Sequence, residues 1–167
     1  MSDTKPRTAV YTGSFDPVTL GHLNIIERAS SLVDRLVVGI GINIEKQALF
    51  SLEERIAMLK HATRQLENVA VQSFQGLAVH FVRDCGARVM LRGVRSLSDI
   101  EAEFTMTLAN RKLDAGIETV FLMADEQYTH VSSSLLKQIT PLASDDELAR
   151  FVPRNIIGDL RKKFPAE

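Results

Sequence analysis

The sequence predicts an α/β fold: a single-domain, doubly wound (Rossmann-like), five-stranded parallel sheet with a C-terminal helical cover. Two observations carry this. Short runs rich in β-branched residues alternate with segments of helical period, a pattern that implies parallel pairing and right-handed crossovers. The second of these runs, Arg35-Leu-Val-Val-Gly-Ile-Gly-Ile42, is apolar almost throughout, as in a strand covered on both faces.

The elements follow in order. Thr8 to Thr12 (TAVYT) reads as a strand, and His22 to Val33 as a helix with Leu23, Ile26, Ala29, Leu32 and Val33 at helical spacing. Arg35 to Ile42 is the central strand. Ser51-Leu-Glu-Glu54 is a capping box, opening a helix that runs to about Leu66. Asn68 to Ser73 reads as a strand, Leu77 to Cys85 as a helix closed by Gly86 at C′, and Arg88 to Arg92 as another strand. Ser98 to Leu113 is helical, Glu118 to Met123 a fifth strand, and Ser132 to Ile139 a helix stopping before Pro141. In the tail, Pro153 suits a helix N1 position, with Ile156, Ile157, Leu160 and Phe164 forming an apolar stripe behind it.

The 167 residues suffice for one domain with a substantial core, expected over about 7–140, with 141–167 as the helical segment. Apolar residues make up 45% and charged residues 25%, ordinary soluble usage. A net charge of -1 argues against bulk binding to nucleic acid or anionic membrane, so any anion site is local. No apolar run reaches the roughly 18 residues of a membrane span, and Cys85 is alone, which fits a reducing, cytoplasmic setting.

In a doubly wound sheet, ligands bind beyond the carboxyl ends of the strands. After the first strand stands Gly13-Ser-Phe-Asp-Pro-Val-Thr-Leu-Gly-His22, which lacks a G-x-G-x-x-G dinucleotide pattern. Thr19 is placed to cap the following helix, bringing Gly21 and His22 into its first turn, where N–H groups and the helix dipole favour a phosphate. Gly21 leaves room for a flat ring or phosphate, and His22 can donate to an oxygen that gains charge during reaction. Ser14 and Asp16 share the turn. After the second strand comes Lys46, suited to neutralising a phosphate. After the fourth comes Arg92-Gly-Val-Arg-Ser96, either a bidentate phosphate grip or a loop whose arginines pair with Asp99, Glu101 or Glu103. After the fifth, Tyr128-Thr-His-Val-Ser-Ser-Ser134 sets three hydroxyls at a helix start. There is no Walker A sequence, no paired metal-ligand spacing and no G-x-S-x-G elbow, which leaves phosphate-containing substrates handled by positioning and charge.

The G-S-F-D-P-x-T-x-G-H stretch and Ser132-Ser-Ser134 resemble the two signatures of the nucleotidyltransferase superfamily. With Lys46, FSLEER, RGVRS, E-x-E and V-S-S-S-L-L-K, the chain is similar over about residues 7–160 to the bacterial phosphopantetheine adenylyltransferases. This resemblance implies transfer of AMP from ATP to 4′-phosphopantetheine, Mg²⁺, no dedicated protein metal site, and a cytoplasmic homohexamer. It implies that His22, Lys46, Arg95 and Ser14 carry the chemistry. It places Ser14, Phe15, His22, Gly93, Val94, Arg95 and Glu103 on the ATP, along with Tyr128, Thr129, His130, Val131, Ser132, Ser133 and Ser134. Ser14, Lys46, Ala78 and Arg92 fall on the phosphopantetheine side. Ser14 replaces the more frequent Thr, Ala78 and Ala102 are smaller than usual, and Gln127-Tyr-Thr-His130 departs from the common aromatic-Ser-Phe run, with His130 read as non-catalytic. The alternatives are an adenylyl- or cytidylyltransferase for another phosphate acceptor, and a nucleotide-binding sensor without turnover.

Overall fold

The computed structural model describes residues 6–43 and 47–165. Five strands, β1 (Thr8–Gly13), β2 (Arg35–Ile42), β3 (Val69–Gln75), β4 (Val89–Val94) and β5 (Glu118–Met123), form one parallel sheet in the order β3-β2-β1-β4-β5. Winding reverses between β1 and β4, so the switch point lies where the Gly13–His22 turn leaves the sheet.

Alternation along each strand sorts side chains between two cores. Ala9, Tyr11, Leu36, Val38, Ile40 and Leu91 face the larger one, while Val10, Val37 and Met90 face the smaller. The larger core is roofed by α1 (Leu20–Ser30), α2 (Leu52–Ala62), α5 (Ser133–Ile139), α6 (Asp145–Leu148) and α7 (Arg154–Lys163). The smaller is covered by α3 (Ala78–Asp84), with α4 (Leu97–Leu113) alongside. Both faces of β1, β2 and β4 are thus covered, which is why RLVVGIGI carries no polar alternation. On β2, Gly39 is dictated by packing, since a Cβ there would overlap the Phe81 ring, itself stacked on Phe74 at 4.5 Å.

Helix ends differ from the expected ones for local reasons. α1 stops at Ser30 rather than Val33 because the Ser30 and Ser31 hydroxyls donate to the carbonyls of Glu27 and Arg28. α2 stops at Ala62 rather than Leu66, with the Thr63 hydroxyl donating to the Leu59 carbonyl. α3 closes as expected: Gly86, at φ 71°, donates to Arg83 and Ala87 donates to Val82, a Schellman pair. Pro153 is the N-cap of α7 rather than N1, and its carbonyl accepts from Ile156. The Ser144–Glu147 capping box builds α6, which was not anticipated.

α4 has little apolar patterning along its length. Asn110 is its one buried residue, whereas Leu97, Phe104, Met106, Leu108 and Leu113 are each more than half exposed. Among the described residues, no helix is long and apolar enough to cross a membrane.

Candidate active site

A cleft of about 330 Å³ opens at the carboxyl ends of β1 and β4. Its floor comes from the ends of β1 and β4, one wall from the start of α1, another from α4, and the last from the β5–α5 connection. Three strand-end segments that are remote in sequence, those after β1, β4 and β5, therefore meet at the switch point.

Thr19 caps α1, and His22 closes a capping box with its ring instead of a carboxylate. The Thr19 amide donates to His22 Nδ1 at 3.0 Å. A backbone N–H only donates, so Nδ1 is the acceptor and Nε2 carries the proton. Burial, then the charges of Arg95 and Arg92, lowers the His22 pKa to about 4, so the ring is neutral at physiological pH. It is held as an N–H donor with a fixed tautomer, resting edge-on against Phe15 with ring centroids 5.0 Å apart. Of the first three α1 amides, Leu20 donates to the Phe151 carbonyl and His22 to Thr19 Oγ1. The Gly21 amide is the one left over for a ligand, narrower than the open helix end that the sequence suggests. A Cβ on Gly21 would meet its nearest neighbours at 3.6–3.8 Å, ordinary contacts, so protein packing alone does not demand glycine there.

The arginines adopt the ion-paired alternative while still lining the cleft. Arg92 forks onto Glu103 through Nε and Nη2 at 2.8 and 2.6 Å, and its Nη1 donates to the Thr12 carbonyl and hydroxyl. Few of its five donors remain. Arg95 is side-on to Asp99 through Nε and Nη2, with Nη1 donating to the Val131 carbonyl at 2.9 Å. This leaves a proton on each terminal nitrogen of Arg95, so it is the better placed of the two to grip a phosphate.

Of the expected nucleotide-side residues, Ser14, His22, Gly93, Arg95, Glu103, Val131, Ser132, Ser133 and Ser134 line the cleft. Gly93 also answers a packing need, because a Cβ would approach Ile25 to 3.0 Å and the Tyr11 hydroxyl to 3.1 Å. Ser132 caps α5, Ser133 donates to the Pro17 carbonyl, and Ser134 is exposed to the cleft. Others stand elsewhere. The Phe15 ring is buried beneath the cleft against Tyr11 and His22. Val94 is buried in the sheet, and Thr129 turns its hydroxyl onto the Glu126 carbonyl. Tyr128 is not among the lining residues, and its Cβ and carbonyl lie 3.8 Å from where a Gly21 side chain would begin. His130, in the turn before Val131, packs edge-on against Phe151 and faces a separate groove. Ala78 opens α3 and packs on the smaller core, outside the cleft. Arg92 lines the cleft, and Lys46 lies outside the described residues.

Arg55 and Tyr11 escaped the sequence reading, and Asp16 takes another role than the one its turn suggests. Asp16, read from the sequence with the phosphate turn, instead serves architecture: its buried carboxylate accepts from the amides of Leu49 and Phe50 and from Lys137 Nζ at 2.6 Å. Buried Arg55 donates to the Ser14 carbonyl at 3.0 Å, holding the turn open. Tyr11 lies under the cleft, where burial pushes its hydroxyl up to about 12. A charged residue at an inward position of the FSLEER helix was the available signal for Arg55. Among the described residues, no cluster of three or more His, Cys, Asp or Glu could hold a metal ion.

A cleft that offers a neutral imidazole donor, a free amide at a helix start, a guanidinium and seryl hydroxyls at a switch point defines a nucleotidyltransferase. The family model described as cytidylyltransferase-like matches residues 10–139. Of solved structures, the Plasmodium falciparum nicotinic acid mononucleotide adenylyltransferase complexed with NaAD superposes with a TM-score of 0.70, at 13% identity over 96% of each chain, a likeness of fold. The chain is 67% identical to the phosphopantetheine adenylyltransferase of Rhodopirellula baltica over 95% of its length and 89% of the relative's. It is 47% identical to that of Clostridium botulinum over 95% of both chains. The chain belongs to the phosphopantetheine adenylyltransferase family.

Proposed function

We propose that the chain transfers the adenylyl group of ATP, taken as its Mg²⁺ complex, to 4′-phosphopantetheine. A phosphate oxygen of the acceptor bonds to the α-phosphorus as the bond to the β-phosphate bridging oxygen breaks. Dephospho-coenzyme A and pyrophosphate leave, the penultimate step of coenzyme A synthesis. The attacking oxygen is already ionised, so no protein base is required. The observation that carries this reading is the neutral, tautomer-locked His22 beside the Gly21 amide.

His22 Nε2–H donates to the α-phosphoryl oxygens as their charge grows, and the Gly21 amide supports the same group. Arg95 neutralises the leaving pyrophosphate with Ser134 alongside. Ser14 bridges nucleotide and acceptor, and Lys46 completes the acceptor side. Arg92 keeps Glu103 and Thr12 in register and reaches the acceptor with a single remaining donor. Mg²⁺ travels on the triphosphate, consistent with both cleft carboxylates, Asp99 and Glu103, being engaged by arginines. The reading includes a cytoplasmic homohexamer, and the exposed apolar ladder of α4 supports association.

Pyrophosphate release from purified protein with MgATP tests the assignment. 4′-Phosphopantetheine should support turnover, and nicotinamide mononucleotide with ATP or glycerol phosphate with CTP should not. Turnover with another acceptor, or ATP binding without turnover, would overturn it. Sedimentation velocity reads the assembly.

A further inference from the structure

The β5–α5 connection forms the fourth wall of the cleft, and a polar clasp ties its start to the helix that carries His22. Asn24, buried and two residues beyond His22, donates through Nδ2 to Asp125 Oδ2 at 2.7 Å. The Asp125 amide returns a bond to Asn24 Oδ1 at 3.1 Å. One turn along α1, Arg28 Nη1 reaches Asp125 Oδ1 at 3.1 Å and the Met123 carbonyl at 2.5 Å. The segment then passes Tyr128, whose Cβ and carbonyl lie 3.8 Å from where a Gly21 side chain would begin, before lining the cleft from Val131 to Ser134.

We infer that Asn24, Asp125 and Arg28 are positioning residues for the nucleotide: they set the spacing between the His22 donor and the seryl wall. The inference rests on the adenylyltransferase reading. Stability does not account for the arrangement. The Arg28–Asp125 pair is nearly half exposed on both sides, where ion pairs contribute little. Asn24 spends a buried amide on a contact that an apolar residue could fill, and what the amide adds is direction and distance. The wall is pinned further on by Arg95 at Val131 and by Ser133 at Pro17. The clasp is the anchor that joins it to the catalytic helix, and a displacement of about 1 Å between reacting groups costs on the order of 10²-fold in rate.

The bonding pattern permits a swap. Asn24→Asp alone sets two carboxylates face to face and breaks the clasp. Asn24→Asp with Asp125→Asn restores it, because the new carboxylate accepts both from the residue 125 amide and from its side-chain NH₂. The test uses the full chain, with KM for ATP and for 4′-phosphopantetheine, calorimetric ATP affinity, and the melting temperature of each variant. Asn24→Asp is expected to weaken ATP by about tenfold or more while shifting the acceptor KM by less than about twofold, and the double variant to recover ATP to within about threefold of the parent. Equal losses for both substrates, unchanged ATP affinity at a lowered melting temperature, or a double variant no better than the single would overturn the inference. If Asn24→Asp does not fold, Asp125→Ala removes from an exposed position the carboxylate that Asn24 and Arg28 grip, and the ratio of ATP loss to acceptor loss judges the clasp in the same way. Failure of the parent to turn over counts against the adenylyltransferase reading alone, since the ATP affinity ratios still judge the clasp.

Discussion

Replacing Asp16 with Asn changes almost nothing in shape and removes the charge on which three donors converge. Oδ2 takes the Leu49 amide at 2.9 Å and Lys137 Nζ at 2.6 Å, and Oδ1 takes the Phe50 amide at 2.8 Å. An Asn side chain keeps one acceptor and presents an NH₂ to the other donor, leaving a buried amide unpaired. Hydrogen bonds to charged groups contribute about 1.5–3 kcal/mol each. Breaking a fully buried ion pair costs about 3–5 kcal/mol. Asp16 is buried, but the Lys137 side chain is 35% exposed and regains water, which trims the loss to about 2–4 kcal/mol. At about 2–4 °C per kcal/mol for a domain of this size, the melting temperature should fall by about 5–15 °C at pH 7.

The pH dependence follows from the same contacts. Burial alone would raise the Asp16 pKa, but the Lys137 bond and the two amide bonds outweigh it and hold the carboxyl below its ordinary value. A depressed folded-state pKa means the unfolded chain binds more protons in acid, so this stabilisation is present above the unfolded carboxyl pKa and is lost as pH falls through the folded one. Parent and Asp16→Asn melting curves, recorded at intervals from pH 7 to pH 3, should converge at the acid end. A drop under about 2 °C at pH 7, or a gap that stays constant to pH 3, would refute the reasoning.

Proton NMR of the free protein should show His22 remaining neutral well below the ordinary histidine pKa of about 6.5, and a midpoint near that value would break the tautomer argument. Because this folded pKa is also depressed, His22 contributes stability above about pH 6.5 that is lost as pH falls toward 4. His22→Ala should lower kcat by about 10²- to 10³-fold with the fold intact, read by pyrophosphate release and circular dichroism. Gly21→Ala should keep the melting temperature within about 2 °C, because the methyl meets protein atoms no closer than 3.6 Å, while the proposed nucleotide pose over the first turn of α1 predicts an ATP KM raised at least about tenfold. Gly39→Ala should do the reverse, destabilising by about 1–3 kcal/mol through the Phe81 ring in chemical denaturation.

What could be read from the chain beforehand was local. Thr19 over His22 and Ser51 over Glu54 are contacts three residues apart, and a continuous apolar strand reports its own two-sided burial. That Ser14, Gly21, His22 and Arg95 stand around one cleft followed from their places after strands. Asp16 misled because a carboxylate in a phosphate turn looks chemical until Lys137 is seen against it. His130 misled because its neighbours Val131 to Ser134 are in the cleft while its own side chain faces Phe151. The choice between ligand and ion pair for Arg92 depended on which face of α4 carried Glu103, and the weak apolar patterning of that helix gave no guide to it.

Three of the clasps that shape the cleft span most of the chain: Asp16 to Lys137 across 121 positions, Pro17 to Ser133 across 116, and Asn24 to Asp125 across 101. During synthesis, the phosphate turn emerges early but has no opposing wall to close against. Nucleotide affinity is therefore expected only once α5 clears the ribosome, and ATP-dependent resistance to protease would mark the finished chain.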